Sequence, residues 1–151
     1  MSPIRAIWLL ATAATLASCS NGLDAARDLT GTWDGTGPNG AFYADNVANP
    51  NCEYEADVHV VFVQDGTSLT GSFTMTVRSS TELIVTSLPC VTVGAESSEA
   101  LFGSVNSSDV SFELFVSRID FDGSFTSDIL AATFVSTQPG GIAGSMTLQR
   151  Q

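Results

Sequence analysis

The sequence predicts an all-β protein, an eight-stranded antiparallel up-and-down barrel, and three observations carry that prediction. The first is an internal repeat of the form apolar, any residue, Gly, Ser or Thr, apolar. It occurs at Leu29 to Trp33, Leu69 to Phe73, Leu101 to Val105, Phe121 to Phe125 and Ile142 to Met146, with a sixth copy, Leu130 to Phe134, that has Ala132 in place of Gly. The second is strict alternation between copies, where Tyr54, Ala56, Val58, Val60 and Phe62 interleave with Glu55, Asp57, His59 and Val61. The third is that no segment after Cys19 has the apolar spacing, caps or length of a helix.

At strand periodicity the first, third and fifth residues of each copy share a face. Each copy therefore sends two apolar groups and a nearly empty slot inward, and turns mostly Ser, Thr or Asp outward. Glycine inside a strand marks strong coiling or close backbone approach, which a small closed barrel demands. In chain order, residues 29 to 35 make the first strand, and residues 54 to 64 the second by alternation. Asp65 Gly66 is a hairpin signal into residues 69 to 78. Residues 100 to 106 and 109 to 117 come next, the latter with Val110, Phe112 and Leu114 set against Ser111 and Glu113. Residues 120 to 127, 129 to 136 and 141 to 149 complete the eight, and residues 82 to 93, inside the 79–99 connection, are a candidate extra strand.

An even number of antiparallel strands lets the first and last pair and close the sheet. The same parity puts the two longest loops, residues 36 to 53 and 79 to 99, at one end and the chain termini at the other.

Upstream of the barrel, Arg5 precedes an apolar run from Ala6 to Ala17 that closes in Leu16 Ala17 Ser18 Cys19. Charge, short apolar core and small residues in that order read as a secretory signal, too short for a membrane span. The closing four residues resemble the bacterial lipobox, which implies cleavage before Cys19 and acylation of its thiol. The chain then divides into a signal peptide (1–18), a lipidated N-terminus and linker (19–28) and a barrel domain (29–151). The expected location is the bacterial cell envelope, held to a membrane by lipid. Ser20 in place of Asp resembles outer-membrane sorting in enteric bacteria.

After Cys19, two cysteines remain, Cys52 and Cys90, and an even pair in an exported chain reads as one disulfide. Parity sets both at the long-loop end. The mature chain carries sixteen Asp and Glu against four Arg and no Lys, a net charge of −12. So negative a field excludes nucleic acid as a partner and disfavours anionic lipid.

Gly31 Thr32 Trp33 on the first strand, with Arg150 at the end of the last, resembles the lipocalin and avidin-type barrels. In those families a Gly-x-Trp motif lies near the closed end and a final-strand cation packs over the indole. The resemblance implies that Trp33 and Arg150 form a structural pair there. A second lipocalin motif and an avidin-like set of biotin ligands are not recognisable, so the resemblance implies a fold without an activity.

The inventory of reactive groups is thin. His59 is the only histidine and falls on the outer face, and Ser111 with Glu113 has no second histidine to make a hydrolytic triad. Asp120, Asp122 and Asp128 lack the spacing of a calcium loop, and Glu53, Glu55 and Asp57 read as a solvated acidic face. No enzyme activity, metal or cofactor is expected. Trp33, Phe62, Phe73, Phe112, Phe121, Phe125 and Phe134 all face inward and would fill much of an eight-stranded interior, whereas the glycines would leave gaps. Residues 36 to 51, with Phe42 and Tyr43, read either as a lid over the open end or as a surface loop. Two functions stay open: a lipoprotein that binds a small apolar or amphipathic ligand at the loop end, with Phe42, Tyr43 and Tyr54 as candidate contacts, and a structural or interaction lipoprotein with a filled barrel. No protein partner can be named from the sequence.

Overall fold

Nine strands form in the computed structural model, which describes residues 28–37, 40–45, 50–84 and 89–151. They are β1 (Gly31–Gly35), β2 (Ala41–Ala44), β3 (Cys52–Asp65), β4 (Ser68–Glu82), β5 (Glu96–Asn106), β6 (Asp109–Leu114), β7 (Ile119–Phe125), β8 (Ile129–Ser136) and β9 (Ala143–Arg150). Every strand pairing is antiparallel, and the sheet closes on itself through β3–β4 on one side and β1–β9 on the other. Cys19, the expected signal peptide and nearly all of the expected linker lie outside the described residues.

The ninth strand does not widen the barrel. β1 and β2 share one position between β3 and β9: Gly31–Gly35 face Phe62–Val58, and Ala41–Ala44 face Ala56–Glu53. Only Asp57 of β3 lies between the two runs, so the first strand is split between Gly35 and Ala41. Gly37, at φ +64°, takes a left-handed turn within that split, and its N–H donates to Asp57 Oδ1 (3.2 Å). The same level of the barrel carries a bulge on β4, where Val77 pairs Ala56 and Ser79 pairs Glu55. Arg78, between them, reaches Asp57 at 3.7 Å.

Three sequence expectations change. Residues 41 to 44, expected in a loop, are a strand, because Ala41 and Tyr43 bury inward and pair on both sides. The candidate extra strand at residues 82 to 93 does not form among the described residues. β4 runs on to Glu82, β5 starts as early as Glu96, and Gly94 and Ala95 fold back onto β4 through Gly94 N to Val77 O (2.7 Å) and Val77 N to Ala95 O (2.9 Å). Residues 115 to 117, expected in the fifth strand, belong to the β6–β7 turn.

Inside, the repeats behave as their spacing predicts, with Leu69, Phe73, Leu101, Val105, Phe121 and Phe125 buried. A column of rings fills the barrel: Phe62 on Phe112 (5.5 Å), Phe112 on Phe121 (4.5 Å, stacked), and Phe121 on Phe73 (5.3 Å) and Phe134 (5.0 Å). The glycines make this possible without leaving gaps. Gly103 pairs directly with Phe112, and a Cβ on Gly103 would stand 2.6 Å from the Cβ of Phe112. A ring on one strand therefore lies over the bare backbone of its neighbour. Burying each such ring stabilises the fold by about 1.5–3 kcal/mol.

Short turns and the ends of the described chain lie at one pole. There Gly66, at φ +61°, opens the two-residue β3–β4 turn, the type II′ signature. Trp33 is fully buried, donates from Nε1 to Leu29 O (3.0 Å), and carries the Arg150 guanidinium 4.7 Å above its ring. Arg150 also donates to the carbonyls of Asp28 and Thr30, and Gln151 N donates to Thr32 O (3.0 Å). The pairing of Trp33 with Arg150 that the barrel resemblance implied is present in this geometry.

Candidate functional site

At the opposite pole the ring column stops at Phe73, Phe121 and Phe134, and a recess of about 300 Å³ opens above it. Its walls come from six elements: Tyr43 on β2, Tyr54 on β3, Met75 and Val77 on β4, the 89–95 segment, Glu96 and Ser97 on β5, and Ile142 ahead of β9. Alternation aims these side chains inward. Tyr43 and Tyr54 stack at 4.8 Å, and Tyr43 leans on Phe134 at 6.1 Å.

Asp45 organises this wall. Its Oδ1 accepts from the N–H groups of Asn51 (3.0 Å) and Cys52 (2.8 Å), and its Oδ2 accepts from the Tyr54 hydroxyl (3.3 Å). The Tyr54 oxygen in turn accepts from Val91 N (3.2 Å). Cys52 and Cys90 are disulfide-bonded, with Cα atoms 5.9 Å apart, so the 89–95 segment is fastened to β3 covalently beside that hydrogen bond. Burial pushes the Tyr43 phenol up to about 12, with Tyr54 and Asp45 adding to the effect, and burial also raises that of Tyr54. Both rings are therefore neutral phenols at any physiological pH.

A smaller hollow of about 50 Å³ adjoins the recess and shares Met75, Ser97 and Ile142 with it. Glu99 and Ser117 line it together with Phe73, Phe121 and Phe134. Glu99 stands on the inward register of β5, two residues before buried Leu101. Its Oε2 accepts from Val116 N (3.0 Å) and Ser117 N (2.9 Å). The Ser117 hydroxyl is buried and has no hydrogen-bond partner. No Arg lines either space among the described residues, whereas Asp45, Glu96 and Glu99 do.

Of the residues singled out in the sequence, Tyr43 and Tyr54 line the recess. Phe42 does not: β2 alternates, so burying Ala41 and Tyr43 turns Phe42 outward, where it is 51% exposed. The lid reading of residues 36 to 51 fails for the part that is described, because residues 41 to 44 are wall. His59 is exposed on the outer face with Nδ1 2.5 Å from Asp34 Oδ1, and Glu113 pairs with Arg118 at 3.3 Å. No group of three or more His, Cys, Asp or Glu side chains gathers at metal-binding distance among the described residues. Sequence reasoning missed Met75, Val77, Ser97, Glu99, Ser117 and Ile142. Extending the two-residue period backward from Leu101 would have flagged Glu99 as an inward carboxylate.

Comparison of the chain with protein-family models, with curated proteins and with solved structures finds no match.

Proposed function

We propose that the protein is a lipid-anchored extracytoplasmic barrel that binds one small apolar or amphipathic ligand in the recess between Tyr43, Tyr54, Met75, Val77 and Ile142. The recess carries this reading. It is concave, mostly apolar and built largely on strands, and it is edged by a few hydrogen-bonded polar groups, the usual make-up of a small-molecule site. At about 30 Å³ per water-sized unit, its 300 Å³ suits a body of about ten non-hydrogen atoms. The lipobox-like Leu16 Ala17 Ser18 Cys19 supports the anchor. Residue 28 lies at the short-turn pole, so a membrane tether from Cys19 would present the recess outward, toward whatever delivers or receives the ligand.

The ring column favours a second reading, a filled structural barrel, for the lower part of the molecule only. Native mass spectrometry of freshly purified protein, with octanol titrated against the 15N-labelled chain, tests the binding reading. The expected result is a retained small-molecule mass or saturable octanol-induced shifts at Tyr43, Tyr54 and Ile142. Bare protein mass together with no saturable shift would overturn it. For the anchor, incorporation of labelled palmitate that is lost in Cys19→Ala is expected, and unlabelled wild-type protein would refute it.

A further inference from the structure

The polar side chains of the recess and its adjoining hollow are carboxylates and hydroxyls. Asp45, Glu96 and Glu99 supply the carboxylates, Tyr43, Tyr54, Ser97 and Ser117 the hydroxyls, and no cation lies among them in the described residues. Asp45 is already occupied by two N–H groups and the Tyr54 hydroxyl, so its place is structural. Glu99 is different. Only its Oε2 is engaged among the described residues, and the Ser117 hydroxyl beside it is buried without a partner. A buried hydroxyl left unpaired is costly, so it marks a position where a ligand donor would be rewarded.

We propose that the ligand is a primary amine on a compact apolar body, with its ammonium seated between Glu99 and Ser117 and its body lying over Tyr43, Tyr54 and Met75. An ammonium offers three donors and no acceptor, the complement of a free carboxylate oxygen and a hydroxyl. The hollow of about 50 Å³ has room for a head group of one or two water-sized units, and the larger recess takes the tail. The rings of Tyr43 and Tyr54 add faces that attract a cation on its way in. A net charge of −12 on the mature chain concentrates cations and repels carboxylates of similar shape.

This inference rests on the binding reading above, and the experiment separates the two. Octylammonium, octanol and octanoate share a tail and differ in head charge. Each is titrated against 15N-labelled protein at pH 7, with the amides of Ser97, Ser117 and Ile142 as reporters. Octylammonium is expected to bind at least about tenfold tighter than octanol, as hydrogen bonds to a charged group allow, and octanoate more weakly than either. Glu99→Gln should bring octylammonium to within about twofold of octanol measured on the same variant. Asp122→Asn, the same charge change on the outer face, should alter neither. Octylammonium no tighter than octanol, or an equal response of Glu99→Gln and Asp122→Asn, overturns the amine assignment and leaves the binding reading standing. Saturable shifts from none of the three probes would remove both.

Discussion

At the scale of single residues, two side chains report on the two poles. Arg150 caps Trp33 by a cation–π contact at 4.7 Å and ties the chain end to the Asp28 and Thr30 carbonyls. Arg150→Ala should lower stability by about 1–2 kcal/mol in urea unfolding. Because Trp8 leaves with the predicted signal, Trp33 is then the sole indole, and its emission should shift red. No change in either quantity would show that the contact contributes nothing. At the recess, the Tyr43 phenol holds its proton more tightly folded, up to about 12, than unfolded, at about 10. A group with a raised folded value contributes stability that is complete below the unfolded value and is lost as pH climbs through the folded one. Unfolding midpoints should accordingly be flat from pH 7 to about 9 and fall between about 10 and 12. Tyr43→Phe should reduce that fall, and phenolate absorbance should show both tyrosines titrating above the free phenol, Tyr43 at about 12. A midpoint equally steep in Tyr43→Phe would assign the loss to other groups.

At the scale of elements, the disulfide joins the start of β3 to the connection between β4 and β5. Closing a loop of that length constrains the unfolded chain by about 3–4 kcal/mol in the chain-entropy view. Paired Cys52→Ser and Cys90→Ser should lower stability by that order and speed amide exchange at Val91 and Ala95 more than at Phe121. Uniform acceleration would mean that the bond steadies the whole barrel and not the wall alone. Most elements were legible beforehand, because a two-residue period with Gly at a fixed step leaves little choice of register, and the even strand count set both long loops at one pole. The split of the first strand was not legible. Ala41–Ala44 is four residues flanked by Gly, Pro and Asn, and what makes it a strand is the pair of neighbours, β3 and β9, that close around it. Phe42 was misassigned for that reason alone. Glu99 was hidden differently: in Ser97 Ser98 Glu99 Ala100 it looks like a polar loop, and the N–H groups that hold it inward belong to Val116 and Ser117, seventeen and eighteen residues later.

At the scale of the whole molecule, the barrel is a ring of strands in which the two ends of the described chain meet. Asp28 and Arg150 are in hydrogen-bond contact, and Gln151 is bonded to Thr32. Where the chain starts is then a matter of wiring, not of architecture. A circular permutant that joins residue 151 to residue 28 through a short flexible linker, and opens in the turn between β5 and β6 at Ser107 and Ser108, should fold with all of its pairings intact. Its circular dichroism should match the parent and its stability fall by no more than a few kcal/mol, whereas a molten permutant would mean that the native order of synthesis is needed to close the ring. Opening instead at Gly94, on the other pole, would move the proposed lipid tether beside the recess. The proposed binding surface would then face the bilayer, so comparing the two permutants asks whether a ligand is taken from the membrane or from what passes above it.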